Sequence, residues 1–319
     1  MSLSLPSLLV PVVLAAEDPL DHVVNHVAIK GENGYWLWTG NQGVLVLSGL
    51  ILVLVGLWAA GKIKTGPASL GAEAYVTKNR FAHMIEVICV YLREEVARPL
   101  LHDRTNKLMP FLWTIFFFIL VNNLLGLTPI RDLMHVVGVH SDWVGGTATQ
   151  NIWVTGTLAV IAAIVFNVAA IVRLGIGGFI KHMMGGLPLY MFPIALLLLL
   201  IEAAGQFVIK PFALALRLFA NMTAGHVLIA TLLSFAGGAI SSALSGGGYG
   251  TNGAITVVSV LAATALMFLE LFVAFLQAFV FMFLTTIFIS LMDHHDDHSH
   301  EHGHEHGHGH AHGHEHAHA

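Results

Sequence analysis

The sequence predicts an all-α polytopic membrane protein: about five membrane-crossing helices plus one surface amphipathic helix, with the last two helices long and tilted. Three observations predict it. Of 319 residues, 56% are hydrophobic and only 10% are charged, where a soluble domain of this size carries about 25% charged residues. Apolar runs of about 18 residues or more recur, each long enough to cross a hydrocarbon core of about 30 Å. The runs are continuous, whereas a β-barrel would show short alternating segments. The single cysteine, Cys89, excludes an internal disulfide. The net charge of −5, with no cationic patch, gives no footprint for nucleic acid.

Residues 1–42 read as an outer N-terminal segment. Met1 to Ala16 is apolar and ends in Ala15-Ala16, the pattern of a processed leader, although no Lys or Arg precedes it. Trp36 and Trp38 then stand just before an apolar run, where aromatic residues mark a membrane–water interface. The membrane domain is expected over 43–292. Its first span covers about 43–60, followed by Lys62 and Lys64. Residues 68–109 mix Glu, Arg and Lys with Phe81, Ile85, Ile88 and Leu92 at helical spacing, so an amphipathic surface helix is expected there, ending near Pro99. Spans at about 110–128 and 151–172 follow, the latter leading into a Gly-rich connector that holds Arg173 and Lys181.

The stretch from Leu189 to Gly237 is almost wholly apolar. As one helix it is about 70 Å long, more than twice a perpendicular crossing, so a tilted or bent helix is expected, kinked near Pro193 or Pro211. A Gly/Ser loop is expected over 238–252, and a last long span over about 253–292. Residues 293–319 form a low-complexity tail with thirteen of the 21 histidines. It cannot bury a core and is expected to be disordered, either simply solvated or holding Zn or Ni ions loosely. With five crossings, ten of the 14 basic residues fall on one side. The positive-inside rule then puts the N-terminus outside and the C-terminus inside.

Charges inside a bilayer cost about 2.5–3.5 kcal/mol each on insertion scales, so they mark an ion path or a buried pair. The last two long segments contain Glu202, Lys210, Arg217 and Glu270, with Asn221, His226 and Gln277 as further polar groups. Arg217 and Asn221, four apart, share a helix face. His226, nine beyond Arg217, points about 180° away and lies about 13 Å along. Glu270 and Gln277, seven apart, share a face about 10 Å apart. If the two helices are antiparallel, His226 comes level with Glu270 when Arg217 comes level with Gln277. Lys210 beside Pro211 also reads as a snorkelling interface residue, and Glu202 as a cap or an interface residue. Asn122 and Asn123 also read as bonds between helices. Arg217 cannot give up its proton, so a mid-segment position asks for a function.

The run Lys210-Pro-Phe-Ala-Leu-Ala-Leu-Arg217-Leu-Phe-Ala-Asn221-Met-Thr-Ala-Gly-His226 resembles the signature of subunit a of F-type ATP synthases. Leu276-Gln277-Ala-Phe-Val-Phe281 resembles the family's last-helix motif, and Asn123-Leu-Leu-Gly-Leu-Thr-Pro129 its second-span motif. The likeness covers about residues 40–292. It implies that Arg217 faces a rotating c-subunit ring and displaces the proton from each passing carboxylate. It implies that His226, Glu270, Asn221 and Gln277 line an outer half-channel and Glu202 an inner one, with Asn123 and Lys210 in secondary or structural places. The implied partners are the c ring, the peripheral-stalk b subunits, the rest of the synthase and the lipid bilayer, with no cofactor and no metal. The implied location is an energy-transducing membrane, first of all a bacterial plasma (inner) membrane. No Gly-rich Lys-Ser/Thr phosphate loop occurs, so ATP chemistry falls to partner chains. Two departures stand out. Many bacterial members carry an acid at the position of His226 and a histidine at that of Glu270, the exchange of what is found here. Glu202 also sits one residue further from Lys210 than in the family pattern. The competing class is a zinc or other metal-ion transporter, suggested by the His-rich tail; it requires several ligands converging within the membrane.

Overall fold

The computed structural model describes residues 27–30, 36–64, 77–128, 147–185, 192–246 and 248–291. The leader at 1–16 and the tail from 293 onward lie outside them. Among the described residues, five helical stretches are long and apolar enough to cross a membrane: Gly40–Lys62, Arg80–Leu127, Ile152–Met183, Phe192–Leu244 and Tyr249–Leu291. The chain is thus an α-helical polytopic membrane protein. A small hairpin precedes the first span, β1 (Val27–Lys30) pairing antiparallel with β2 (Trp36–Thr39). The run Trp36-Leu-Trp38-Thr39 is a strand directly before the first span; aromatic and β-branched residues suit a pleated surface.

Helix α1 is Gly40–Lys62, opened by a capping box in which Thr39 N–H donates to Gln42 Oε1 at 3.0 Å. Helix α2 (80–101) is the amphipathic one. Asn79 caps it, Oδ1 accepting from Phe81 N at 3.0 Å and Ala82 N at 3.2 Å. The helix ends two residues past Pro99, at Leu101. It widens into a π turn over Leu92–Ala97, carries Pro99 in the first turn of Arg98–Leu101, and breaks at His102, where φ is 45°. A proline at the start of a new helical turn needs no N–H partner, so the break falls three residues later. Helix α3 (Thr105–Leu127) follows. Trp113 Nε1 donates to Cys89 O at 3.1 Å, tying α3 back to α2.

Helix α4 is Ile152–Met183, and here the expected connector is itself helical. Gly175, at φ 70° and ψ 164°, kinks the helix; a left-handed φ of this kind is open to glycine at little cost. Helix α5 (Phe192–Leu244) and helix α6 (Tyr249–Leu291) close the fold. The irregularity in α5 is a π turn over Gly205–Ile209, immediately before Pro211. A proline ring clashes with the carbonyl four residues back in a regular helix; widening the preceding turn accommodates it. The Gly/Ser loop expected over 238–252 is a correction: α5 continues to Leu244 and α6 begins at Tyr249. Apolar surroundings keep Gly- and Ser-containing segments helical, because an unpaired backbone group there costs several kcal/mol.

The core gathers around α3, α4, the middle of α5 and the second half of α6, with Phe116, Phe166, Leu218, Phe281 and Met282 fully buried. Phe116 meets Phe275 edge-on at 5.7 Å and Phe166 meets Phe288 at 5.6 Å. Helix α5 stands apart. Its most apolar stretch is 11% buried, against 44% for α6. One side of α5 packs through Pro211, Leu214, Ala215, Leu218 and Met222, and the other is open.

Candidate functional site

Helices α5 and α6 form an antiparallel pair. Asn252 Nδ2 donates to Ser242 Oγ at 3.2 Å near their link, and His226 Nδ1 lies 4.0 Å from Glu270 Oε1 further along. The register inferred from spacing therefore brings His226 and Glu270 together on facing helices. Both are largely enclosed, with side chains 22% and 14% exposed. The second oxygen of Glu270, Oε2, is buried and has no hydrogen-bond partner among the described residues.

Why the two helices approach so closely here is a matter of one residue. A Cβ on Gly225 would run into the Glu270 carboxylate, with Cδ at 2.7 Å and Cγ at 3.1 Å. Glycine at 225 thus makes room for the acid against the α5 backbone, one residue from the imidazole. The outer wall of the cluster comes from α3 and from the short 3-10 turn Ala148–Gln150 that precedes α4. His226 Nε2 lies 3.0 Å from Gly126 O and 3.1 Å from Thr147 Oγ1. His226 Nδ1 lies 2.9 Å from Met222 O of its own helix. The turn is anchored by Asn123, fully buried: Thr149 Oγ1 donates to Asn123 Oδ1 at 3.1 Å, and Asn123 Nδ2 reaches Ala274 O at 3.4 Å, one turn along from Glu270. Asn122 turns instead to its own helix, donating to Phe118 O at 2.8 Å.

A second polar cluster lies on the N-terminal half of α5. Lys210 Nζ donates to Gln206 Oε1, lies 3.9 Å from Glu202 Oε1, and sits 5.3 Å from the Phe288 ring centroid. Eight residues separate Glu202 from Lys210. In an unbroken α-helix that spacing turns the two about 80° apart. The π turn between them absorbs one residue and returns Glu202 to the face of Lys210. The extra residue seen in the sequence is thus taken up by the backbone.

Arg217 lies between the two clusters, about 10 Å along the helix from Lys210 and about 13 Å from His226. It is exposed on the open side of α5, beside Phe212, Ala213, Leu216 and Ala220. Among the described residues it has no hydrogen-bond or ion-pair partner. Gln277 is level with Arg217 by the register of the pair, but it is buried while Arg217 is not, so the two are not brought together. Asn221 is half-buried one turn beyond Arg217.

Residues 43–290 match the family described as ATP synthase A chain. The chain belongs to this family. Among its relatives, ATP synthase subunit a of Chloroherpeton thalassium is 40% identical over 225 residues, covering 69% of this chain and 59% of the relative. ATP synthase subunit a of Myxococcus xanthus is 38% identical over 224 residues, covering 69% of this chain and 64% of the relative. ATP synthase subunit a 2 of Chlorobaculum tepidum is 35% identical over 249 residues, covering 78% and 61%. The chain therefore spans about three-fifths of the length of these curated relatives. The competing metal-ion carrier would need converging ligands. Among the described residues there is no group of three or more His, Cys, Asp or Glu able to hold a metal, and the His-rich tail lies outside them.

Sequence reasoning reached His226, Glu270, Arg217, Lys210 and Glu202 through their cost in an apolar segment. It missed Gly225, Gly126, Gln206 and Thr147. Gly225 carried a signal in retrospect, a glycine directly beside an ionisable residue inside a helix. Thr147, at the edge of a span in a loop sequence, carried none.

Proposed function

We propose that this chain is the proton-conducting subunit of an F-type ATP synthase, and that it couples proton flow to rotation of a c ring through two offset half-channels. One observation carries the reading. On a single helix, an exposed arginine with no partner among the described residues stands between two polar clusters, one on its N-terminal and one on its C-terminal side. A continuous pore would join the clusters directly; here a fixed cation separates them.

The mechanism follows from the charges. Arg217 keeps its proton at all working pH values. A ring carboxyl arriving beside it is favoured in its ionised form, because an opposite charge within about 4–6 Å lowers its hold on the proton. The proton leaves toward Glu202, Gln206 and Lys210, the inner half-channel. The ionised carboxylate moves on and is reloaded from the outer half-channel, where His226 and Glu270 hand protons inward, with Asn221 and Gln277 ordering the path. A positive charge on Arg217 also repels a proton that would leak straight across. The 4.0 Å between His226 Nδ1 and Glu270 Oε1 exceeds a hydrogen bond, so transfer needs the side chains to close or one water between them. Each proton crossing supplies about 2.3 kcal/mol per 100 mV, which rotation delivers to the catalytic head.

The partners in this reading are the c ring on the open side of α5, the peripheral-stalk b subunits and the rest of the synthase. The location is a bacterial plasma (inner) membrane, N-terminus outside and C-terminus inside, supported by the excess of Lys and Arg on one side. No cofactor is required. Arg217→Ala should abolish ATP-driven proton pumping and proton-driven ATP synthesis in membrane vesicles, while the detached head keeps its ATPase. Normal coupling in that variant would end the reading.

A further inference from the structure

Among the described residues, the neighbours of His226 are acceptors alone except for one hydroxyl. Four groups approach its ring. Met222 O faces Nδ1 at 2.9 Å and Glu270 Oε1 lies 4.0 Å from the same nitrogen. Gly126 O faces Nε2 at 3.0 Å, and Thr147 Oγ1 lies 3.1 Å from that nitrogen. Carbonyls and a carboxylate only accept hydrogen bonds. The doubly protonated ring satisfies this set with both N–H groups. Each neutral tautomer does not: one nitrogen is then bare and faces a carbonyl lone pair at hydrogen-bond distance. The hydroxyl of Thr147 is the one donor within reach of the ring among the described residues.

We propose that Thr147 is the positioning residue that lets His226 release its proton, by donating a hydrogen bond to Nε2 in the neutral ring; this rests on the reading of His226 as a proton carrier. The step balances simply. The Nε2–H bond breaks with its proton passing to a water molecule of the outer half-channel, and the Thr147 O–H turns from Gly126 O, 3.5 Å away, to the bare nitrogen. When the ring is protonated again, Nε2–H returns to Gly126 O and the hydroxyl turns back. The neighbours fix this geometry. Thr147 is 2% exposed, and a Cβ on Gly126 would come within 2.9 Å of its Oγ1. The segment that carries it is buried throughout, Ala148 and Thr149 at 0% and Gln150 at 7%. Connecting segments ordinarily run over the surface, and this one is held inside by its bonds to Asn123 and His226. The titratable group facing the ring is Glu270 from α6; α3 and the 3-10 turn contribute only the Gly126 carbonyl and the Thr147 hydroxyl.

The test is the pH dependence of ATP-driven proton pumping in vesicles carrying the assembled complex. Thr147→Val keeps the shape and removes the donor. The pH of half-maximal pumping should move upward by about one unit, the tenfold change that losing one neutral hydrogen bond brings. Thr147→Ser should restore the wild-type profile. If the valine variant fails to assemble, Thr147→Ala should show the upward shift and Thr147→Cys, a weak donor, an intermediate one. A valine or alanine profile that superimposes on wild type, or a serine variant that behaves like valine, would overturn the proposal. His226→Ala separates the two readings. If it pumps normally, the role of His226 falls and Thr147 with it; if it is impaired while the Thr147 variants are unchanged, only the Thr147 proposal falls.

Discussion

The two most telling places on α5 are built in opposite ways. Around His226 the protein is complete: α3, the turn before α4, α5 and α6 each bring a group to within a few ångströms of the ring, and Gly225 gives way to Glu270. Around Arg217, nine residues back, none of the described residues offers a hydrogen-bond or ion-pair partner, and the guanidinium stands on an apolar face. A group that must hand a proton to a fixed neighbour profits from being held in place. A group that must act on a succession of moving carboxylates has to be left open to them. On the proposed reading, the contrast separates the half of the chemistry that this chain would hold alone from the half it would share with a partner.

The largest way to break this contrast is at the open position. Arg217→Lys should restore little of the coupling that Arg217→Ala removes, because a lysine can lose its charge in an apolar setting. ATP synthesis near the wild-type rate in the lysine variant would show that any cation serves. Next comes the closed cluster. His226→Ala and Glu270→Ala should each slow proton pumping by about 10²-fold, the lower end for general acid–base groups. The exchanged pair, His226→Glu with Glu270→His, should recover part of what either single exchange loses. Strictly additive losses in the double variant would mean that the two do not work as a unit.

A sharper probe of the same cluster is Gly225→Ala. The added methyl meets the Glu270 carboxylate, and overpacking of this kind costs about 1–3 kcal/mol. Pumping should fall by roughly tenfold with the complex still assembled; an unchanged rate would mean the two helices are free to part. The smallest effect belongs to the π turn. Deleting Gly205 leaves Glu202 seven residues from Lys210, on nearly the same face of a regular helix. That variant should pump at close to the wild-type rate. A loss as deep as that of Glu202→Ala would show that the wide turn itself, and not the alignment it restores, is what matters.

How much of this was open to a reader of the sequence follows the same physics. The crossings were legible because hydropathy over about 20 residues integrates many small terms. Helix ends were not. The Gly- and Ser-rich stretch after Gly237 reads as a loop by local propensity, yet it is helical to Leu244, since apolar surroundings penalise unpaired backbone more than they penalise glycine. Pro99 was read as a helix end and Pro211, with Pro193 as the alternative, as a kink, and a π turn lies just upstream of Pro99 and of Pro211. The ionisable residues announced themselves by cost, and their spacings of nine and seven set the register that joins His226 to Glu270. The supporting residues did not, because Gly126 and Thr147 matter only through what stands opposite them across two helices.

The bare surroundings of Arg217 bear on how such a complex comes together. A lone copy in a bilayer would present a permanent cation to hydrocarbon, at a cost of about 2.5–3.5 kcal/mol, on the least covered helix it has. A surface bearing carboxylates that closed over α5 would offset that cost. On the proposed reading, the side chain that serves turnover would also favour docking, because a carboxylate-bearing partner closing over α5 relieves the cost of holding that cation against hydrocarbon.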